Sequence, residues 1–176
     1  MRLSSAKLTQ QRGFSLVEIA IVLVIIGLLL GGVLKGQQMV ENAKIKSFID
    51  DIRAVGSAAN DYQATYRKKP NMEVLIKNNM VVYKTADLVS TGQNSYVDLA
   101  SGQRLRVAST TLAKRGIGVC LQFVDGDLAK EIDLRIDDGD GKTGIVQANK
   151  GNTQPTTKIG TATYADASNH SLCYRP

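Results

Sequence analysis

One carboxylate, Glu18, stands alone in an apolar run from Phe14 to Leu34, FSLVEIAIVLVIIGLLLGGVL. An acid in such a run costs on the order of 3 kcal/mol on membrane-insertion scales, which marks a functional residue. In front of the run stands the step Gly13-Phe14, behind a stretch whose only charges are Arg2, Lys7 and Arg12. A small residue after a basic start is where a processing peptidase cuts. Further along, Asp137, Asp138 and Asp140 lie in DDGDGKTG, three carboxylates among flexible glycines. Such an oxygen-rich set can ligate Ca²⁺, and these three are the candidate ligands. The loop does not match the EF-hand pattern, because Asn149 stands at the closing position if Asp138 is counted first. Asp-Gly pairs are also ordinary turn formers.

The two cysteines are Cys120 and Cys173. In an oxidising compartment they would pair, and closing a loop of about 50 residues would stabilise the fold by roughly 4 kcal/mol. The alternative is two buried thiols. A transition-metal site finds no support, since His170 is the single histidine and neither CxxC nor CxxH occurs. Catalysis finds little more: P-loop, GxSxG and HExxH patterns are absent, and a His170–Cys173 pair near the C-terminus is a poor nucleophile–base candidate. The expectation is a protein that is not an enzyme.

These residues need elements to position them. As a helix at about 1.5 Å per residue, Phe14 to Leu34 reaches roughly 30 Å, the thickness of a bilayer's hydrocarbon core. A secretory signal would place its small-residue cut after the apolar stretch, whereas Gly13 precedes it. Cutting there leaves the hydrophobic segment on the mature chain. The positive-inside rule puts residues 1–13 in the cytoplasm and everything after Leu34 outside. Beyond the run, Ile45, Phe48, Ile49, Ile52, Val55, Ala59, Tyr62 and Tyr66 recur at spacings of three and four, with Lys44, Lys46, Asp50, Asp51, Arg53 and Asp61 opposite. One helix from Phe14 to about Tyr66, close to 80 Å long, accounts for both halves. Pro70 bounds it. Gly27-x-x-x-Gly31 and Gly32-x-x-x-Gly36 permit close helix approach and weaken the helix locally.

Gly13-Phe14-Ser15-Leu16-Val17-Glu18 followed by the apolar run resembles the leader and cleavage motif of type IV pilins and type II secretion pseudopilins. The resemblance covers residues 1 to about 66. It implies a prepilin peptidase that cuts between Gly13 and Phe14 and methylates the Phe14 amine. It also implies that Glu18 serves assembly by pairing with the N-terminal amine of a neighbouring subunit. The partners it implies are copies of itself, other pilins, the peptidase/methylase and an inner-membrane assembly platform. Unlike many type IV pilins, this chain has no proline in the first half of the helix, so any kink there would fall at the glycines.

After Pro70 the pattern changes to short strands and turns: Met80–Tyr83, Tyr96–Leu99, Arg104–Val107 and Gly118–Phe123 are candidate strands. Leu128–Ile136 reads as a short amphipathic helix with Asp127 as its N-cap. The expected fold is α+β, a long N-terminal helix packed on a small antiparallel sheet. The domain reading is a cleaved leader over 1–13, a transmembrane and assembly helix over 14–36, an amphipathic helix over 37–68 and a pilin-like head over 69–176. The net charge of +6 falls to +3 once Arg2, Lys7 and Arg12 are removed. The remaining cations are scattered apart from Arg67-Lys68-Lys69, which disfavours nucleic acid as a partner of the isolated subunit. Three readings stay open: a major or minor pilin, a type II secretion pseudopilin, and, from another class, a monomeric signal-anchored periplasmic binding or enzyme domain.

Overall fold

The structure, a computed structural model, describes residues 13, 15–91, 94–108, 117–151, 160, 163–164 and 169–176. The leader residues 1–12 and Phe14 lie outside the described residues. The chain divides into two compact units, Met1–Asn42 and Ala43–Pro176, with the boundary inside helix α1 (Leu16–Tyr66). The fold is α+β.

In the first unit, α1 is unbroken helix through all four glycines. Every described residue there is exposed. Leu16 is 91% exposed and Leu28 74%, so the whole apolar circumference lies uncovered. A helix that is apolar all round belongs in a membrane or among other helices, not in water. It is also long and apolar enough to cross a bilayer.

The second unit contains the core. Ile45, Phe48, Ile49, Ile52, Val55 and Ala59 of α1 are buried, and these are residues of the stripe read from the 3.6-residue period. They join one cluster with Leu75 and Ile76 of α2 (Met72–Lys77), sheet residues Val97, Leu105, Val119, Leu121, Val146 and Leu172, and Ala129 and Ile132 of α3 (Gly126–Ile136). Gly56 lies on this packed part of α1, where a Cβ would come within 3.0 Å of Pro176.

Helix α1 stops at Tyr66, before Pro70, because Arg67 turns to φ 54° while its N–H still bonds the Gln63 carbonyl. Helix α2 follows at once, with the Asn71 side chain accepting the Val74 N–H at 2.9 Å. The expected strand Met80–Tyr83 does not exist. Met80 instead donates to the Leu75 carbonyl, and Asn79 at φ 52° closes α2. Met80, Val81 and Tyr83 pack on the core without pairing. Six residues of helix are too few to show a period, so α2 leaves no signal in the sequence.

Among the described residues six antiparallel strands follow: β1 (Leu88–Thr91), β2 (Asn94–Asp98), β3 (Arg104–Ala108), β4 (Gly118–Val124), β5 (Val146–Lys150) and β6 (His170–Tyr174). Their order is β1-β2-β3-β4-β6-β5, so the last strand inserts between two earlier ones. Period-two alternation sends Leu105, Val107, Val119, Leu121 and Leu172 to the main core. Ala108, Cys120 and Cys173 form a small second cluster. Between Leu121 and Val124 the pairing with β6 slips by one residue, with Phe123 at φ 62°. This bulge returns Val124 to the core, where strict alternation would have sent Phe123. The Arg104 guanidinium then lies 4.9 Å from the Phe123 ring and 4.5 Å from that of Tyr96.

Candidate functional site

The N-terminal site is built on the first turn of α1. The Ser15 Oγ accepts the Glu18 N–H at 3.2 Å, and the Ser15 N–H donates to Glu18 Oε2 at 2.8 Å. These reciprocal bonds form a capping box, which satisfies helix donors that otherwise lack partners. The box starts the helix at Leu16 and leaves Gly13 outside it, exposed. Glu18 is thereby held in the first turn, where the helix dipole favours a negative charge. The S-x-x-E pattern at 15–18 is the sequence signal of this box. Both capping residues lie downstream of the Gly13–Phe14 bond, so cutting there leaves the box intact. Gly27, Gly31, Gly32 and Gly36 have open space around them: among the described residues, a Cβ at any of them meets nothing within 4 Å. Among the described residues, nothing requires these glycines.

The acidic loop follows α3. Helix α3 begins two residues before the expected Leu128, and its N-cap is Asp125, whose Oδ1 accepts the Leu128 N–H at 2.8 Å. Asp127, the expected cap, sits instead in the first turn. In the loop, Asp137 accepts the N–H groups of Ile145 and Val146 through one oxygen. Asp138 accepts the Asp140 N–H at 2.9 Å and the Thr143 hydroxyl at 2.7 Å, and these bonds hold its carboxyl below the usual range. Asp140 accepts the Lys142 N–H at 3.1 Å. Gly144, at φ 74°, passes so close that a Cβ there would fall on the Asp137 carboxylate.

A further acid, outside the set expected from the sequence, stands beside this loop. Asp133, fully buried on α3, lies one helical turn before Asp137, on the same face. The Tyr164 hydroxyl donates to its Oδ2 at 2.7 Å, while its buried Oδ1 has no hydrogen-bond partner. Burial raises the Asp133 carboxyl above its ordinary value, with Tyr164 and the Gly139 N–H pulling the other way and Asp138 and Asp137 adding to the rise. Oxygens of Asp133, Asp137 and Asp138 all lie within 4.8 Å of one another. The Asp133-x-x-x-Asp137 spacing was the signal available in the sequence.

Cys120 and Cys173 stand opposite each other on β4 and β6 and form a disulfide. The Cys173 sulfur is therefore not a free nucleophile, which removes the one pairing with His170 that the sequence allowed.

Residues 8–34 match the family described as the prokaryotic N-terminal methylation motif, the signature of type IV pilins and pseudopilins. Comparison with curated proteins and with solved structures found no match. The motif implies a structural protein that associates with a membrane, is handled by a prepilin peptidase and assembles with other pilins.

Proposed function

We propose that this chain is a structural subunit of a type IV pilus-like filament. It enters the inner membrane as a prepilin with its head in the periplasm, is cut between Gly13 and Phe14, is N-methylated on Phe14 and polymerises through α1. One coincidence carries the reading: the matched motif, residues 8–34, covers the part of α1 whose apolar surface nothing in its own unit buries. Lipid satisfies that surface before assembly and neighbouring copies of the helix satisfy it afterwards. The bare glycines then allow helices to approach closely.

Glu18 supplies the register. Its carboxylate already caps its own helix, so its share in assembly is the negative charge, offered to the Phe14 ammonium of an incoming subunit. An unpaired acid among apolar helices is costly, and only one axial position neutralises it. Glutamine preserves the capping box but not the charge. Glu18→Gln and Glu18→Ala should therefore both be processed normally yet fail to enter filaments, as seen by immunoblot of sheared filaments. Normal incorporation of Glu18→Gln would refute the charge role.

A type II secretion pseudopilin shares all these features up to Tyr66. The Cys120–Cys173 disulfide favours a surface-exposed pilus, where a covalent staple gains most. A signal-anchored monomeric domain is separated by mass spectrometry of the mature N-terminus: anything other than N-methylated Phe14 would support that alternative.

A further inference from the structure

We propose that Arg104 anchors a binding site for a carboxylated sugar on the face of β2–β4 turned away from the core, with Tyr96, Phe123 and Asp98 completing it. Two independent observations lead there. The first is the bulge in β4. Leu121 and Val124 both face the core, so the extra residue between them leaves Phe123 on the outer face beside Arg104. Phe123 takes φ 62° to do so, a left-handed conformation that bulky side chains rarely adopt. Backbone strain of this kind gathers at ligand-binding sites. The half-buried Phe123 ring lies 4.9 Å from the Arg104 guanidinium, and the half-buried Tyr96 ring 4.5 Å from it.

The second observation is the guanidinium itself. Arg104 stands opposite Asp98 on β2, and its Nε–H donates to Asp98 Oδ1 at 2.8 Å. Among the described residues this Nε–H is the one donor of the group in use, and the side chain is 37% exposed. Asp98 and the two rings thus orient the planar group and leave its terminal N–H donors for a ligand. A rigid fork of N–H donors matches a carboxylate through two parallel bonds. The surroundings narrow the ligand further. Asp98 already balances the Arg104 charge, so a monoanion suits the site better than a phosphate dianion. Strand β3 is paired on both sides, so an extended peptide finds no free backbone donors there to add as a strand. A sugar ring offers C–H groups to Tyr96 and Phe123 and hydroxyls to the second Asp98 oxygen, and a uronic acid adds the carboxylate. The site belongs wholly to the unit Ala43–Pro176, so it does not rest on the filament reading.

The test titrates the full-length protein in detergent micelles with trigalacturonate, followed by the NMR shift of the Arg104 Nε–H. Binding should saturate with a Kd of about 1 mM, and the methyl ester of the same trisaccharide should bind about tenfold more weakly. Arg104→Lys keeps the charge but loses the fork; followed by calorimetry, it should also lose about tenfold in affinity while melting like the wild type. Tyr96→Ala should weaken binding about fivefold. No saturation by about 10 mM trigalacturonate would overturn the site. Equal binding of the ester, or of trigalacturonate by Arg104→Lys, would show that the Arg104 fork does not recognise the carboxylate. Acetylated triglycine, a peptide carboxylate of similar size, should bind more weakly than the sugar; equal or tighter binding would overturn the sugar assignment.

Discussion

Glu18 carries two roles in one side chain, and they can be separated residue by residue. The capping role belongs to the single chain and depends on Ser15; the charge role belongs to the assembly. Ser15→Ala removes the acceptor of the Glu18 N–H, a loss of about 1 kcal/mol at an N-cap. Exchange of the Glu18 amide in micelles should then accelerate about fivefold while amides beyond Ala20 keep their rates. Unchanged exchange at Glu18 would show that the box does not hold the first turn. Gly144 is the second residue whose identity the structure explains. Alanine there must adopt φ 74° and displace the Asp137 carboxylate, which accepts the N–H groups of Ile145 and of Val146, the first residue of β5. Gly144→Ala should destabilise the protein by roughly 2 kcal/mol or more, read as a fall in melting temperature. A neutral outcome would mean the loop re-forms without that close approach.

At the scale of elements, α1 divides its energetics at the boundary between the units. Ile52 is 1% exposed and belongs to the core cluster, whereas Val24 is 62% exposed. Ile52→Ala should cost about 2–5 kcal/mol and lower the melting temperature, while Val24→Ala should leave it unchanged. Equal effects on melting would contradict the division. Helix α3 shows how local signals mislead by a turn's fraction. Asp125 and Asp127 both precede the amphipathic run, and the chain uses the earlier one because Asp125 takes extended backbone and its side chain reaches the Leu128 N–H. Asp125→Ala should cost about 1 kcal/mol and Asp127→Ala less, compared by denaturant midpoint.

At the scale of the molecule, the Cys120–Cys173 disulfide closes a separation of 53 residues, and β5 and the whole acidic loop lie inside it. Reduction, or Cys120→Ser, should cost roughly 2–5 kcal/mol. Its consequence is greatest at β6, which enters the sheet last and pairs with both β4 and β5. A reduced protein with unaltered melting would show that strand pairing alone holds β6.

The sequence by itself determined everything that depends on neighbours along the chain. The Gly13-Phe14 step, the lone Glu18, the apolar run and the 3.6-residue stripe to Tyr66 are local patterns, and helix geometry converts them directly into surfaces. The strands Tyr96–Leu99, Arg104–Val107 and Gly118–Phe123 were legible for the same reason: alternation and β-branched residues announce them. Strands β5 (VQANK) and β6 (HSLCY) were not, because they are poor in such residues and exist through partners distant in sequence. Only the tertiary structure decided that Met80–Tyr83 packs without pairing, that a bulge returns Val124 to the core, and that Asp133 replaces Asp140 beside Asp137 and Asp138. Each follows from which segments meet across the sheet, and contacts of that range leave no periodic trace in the chain.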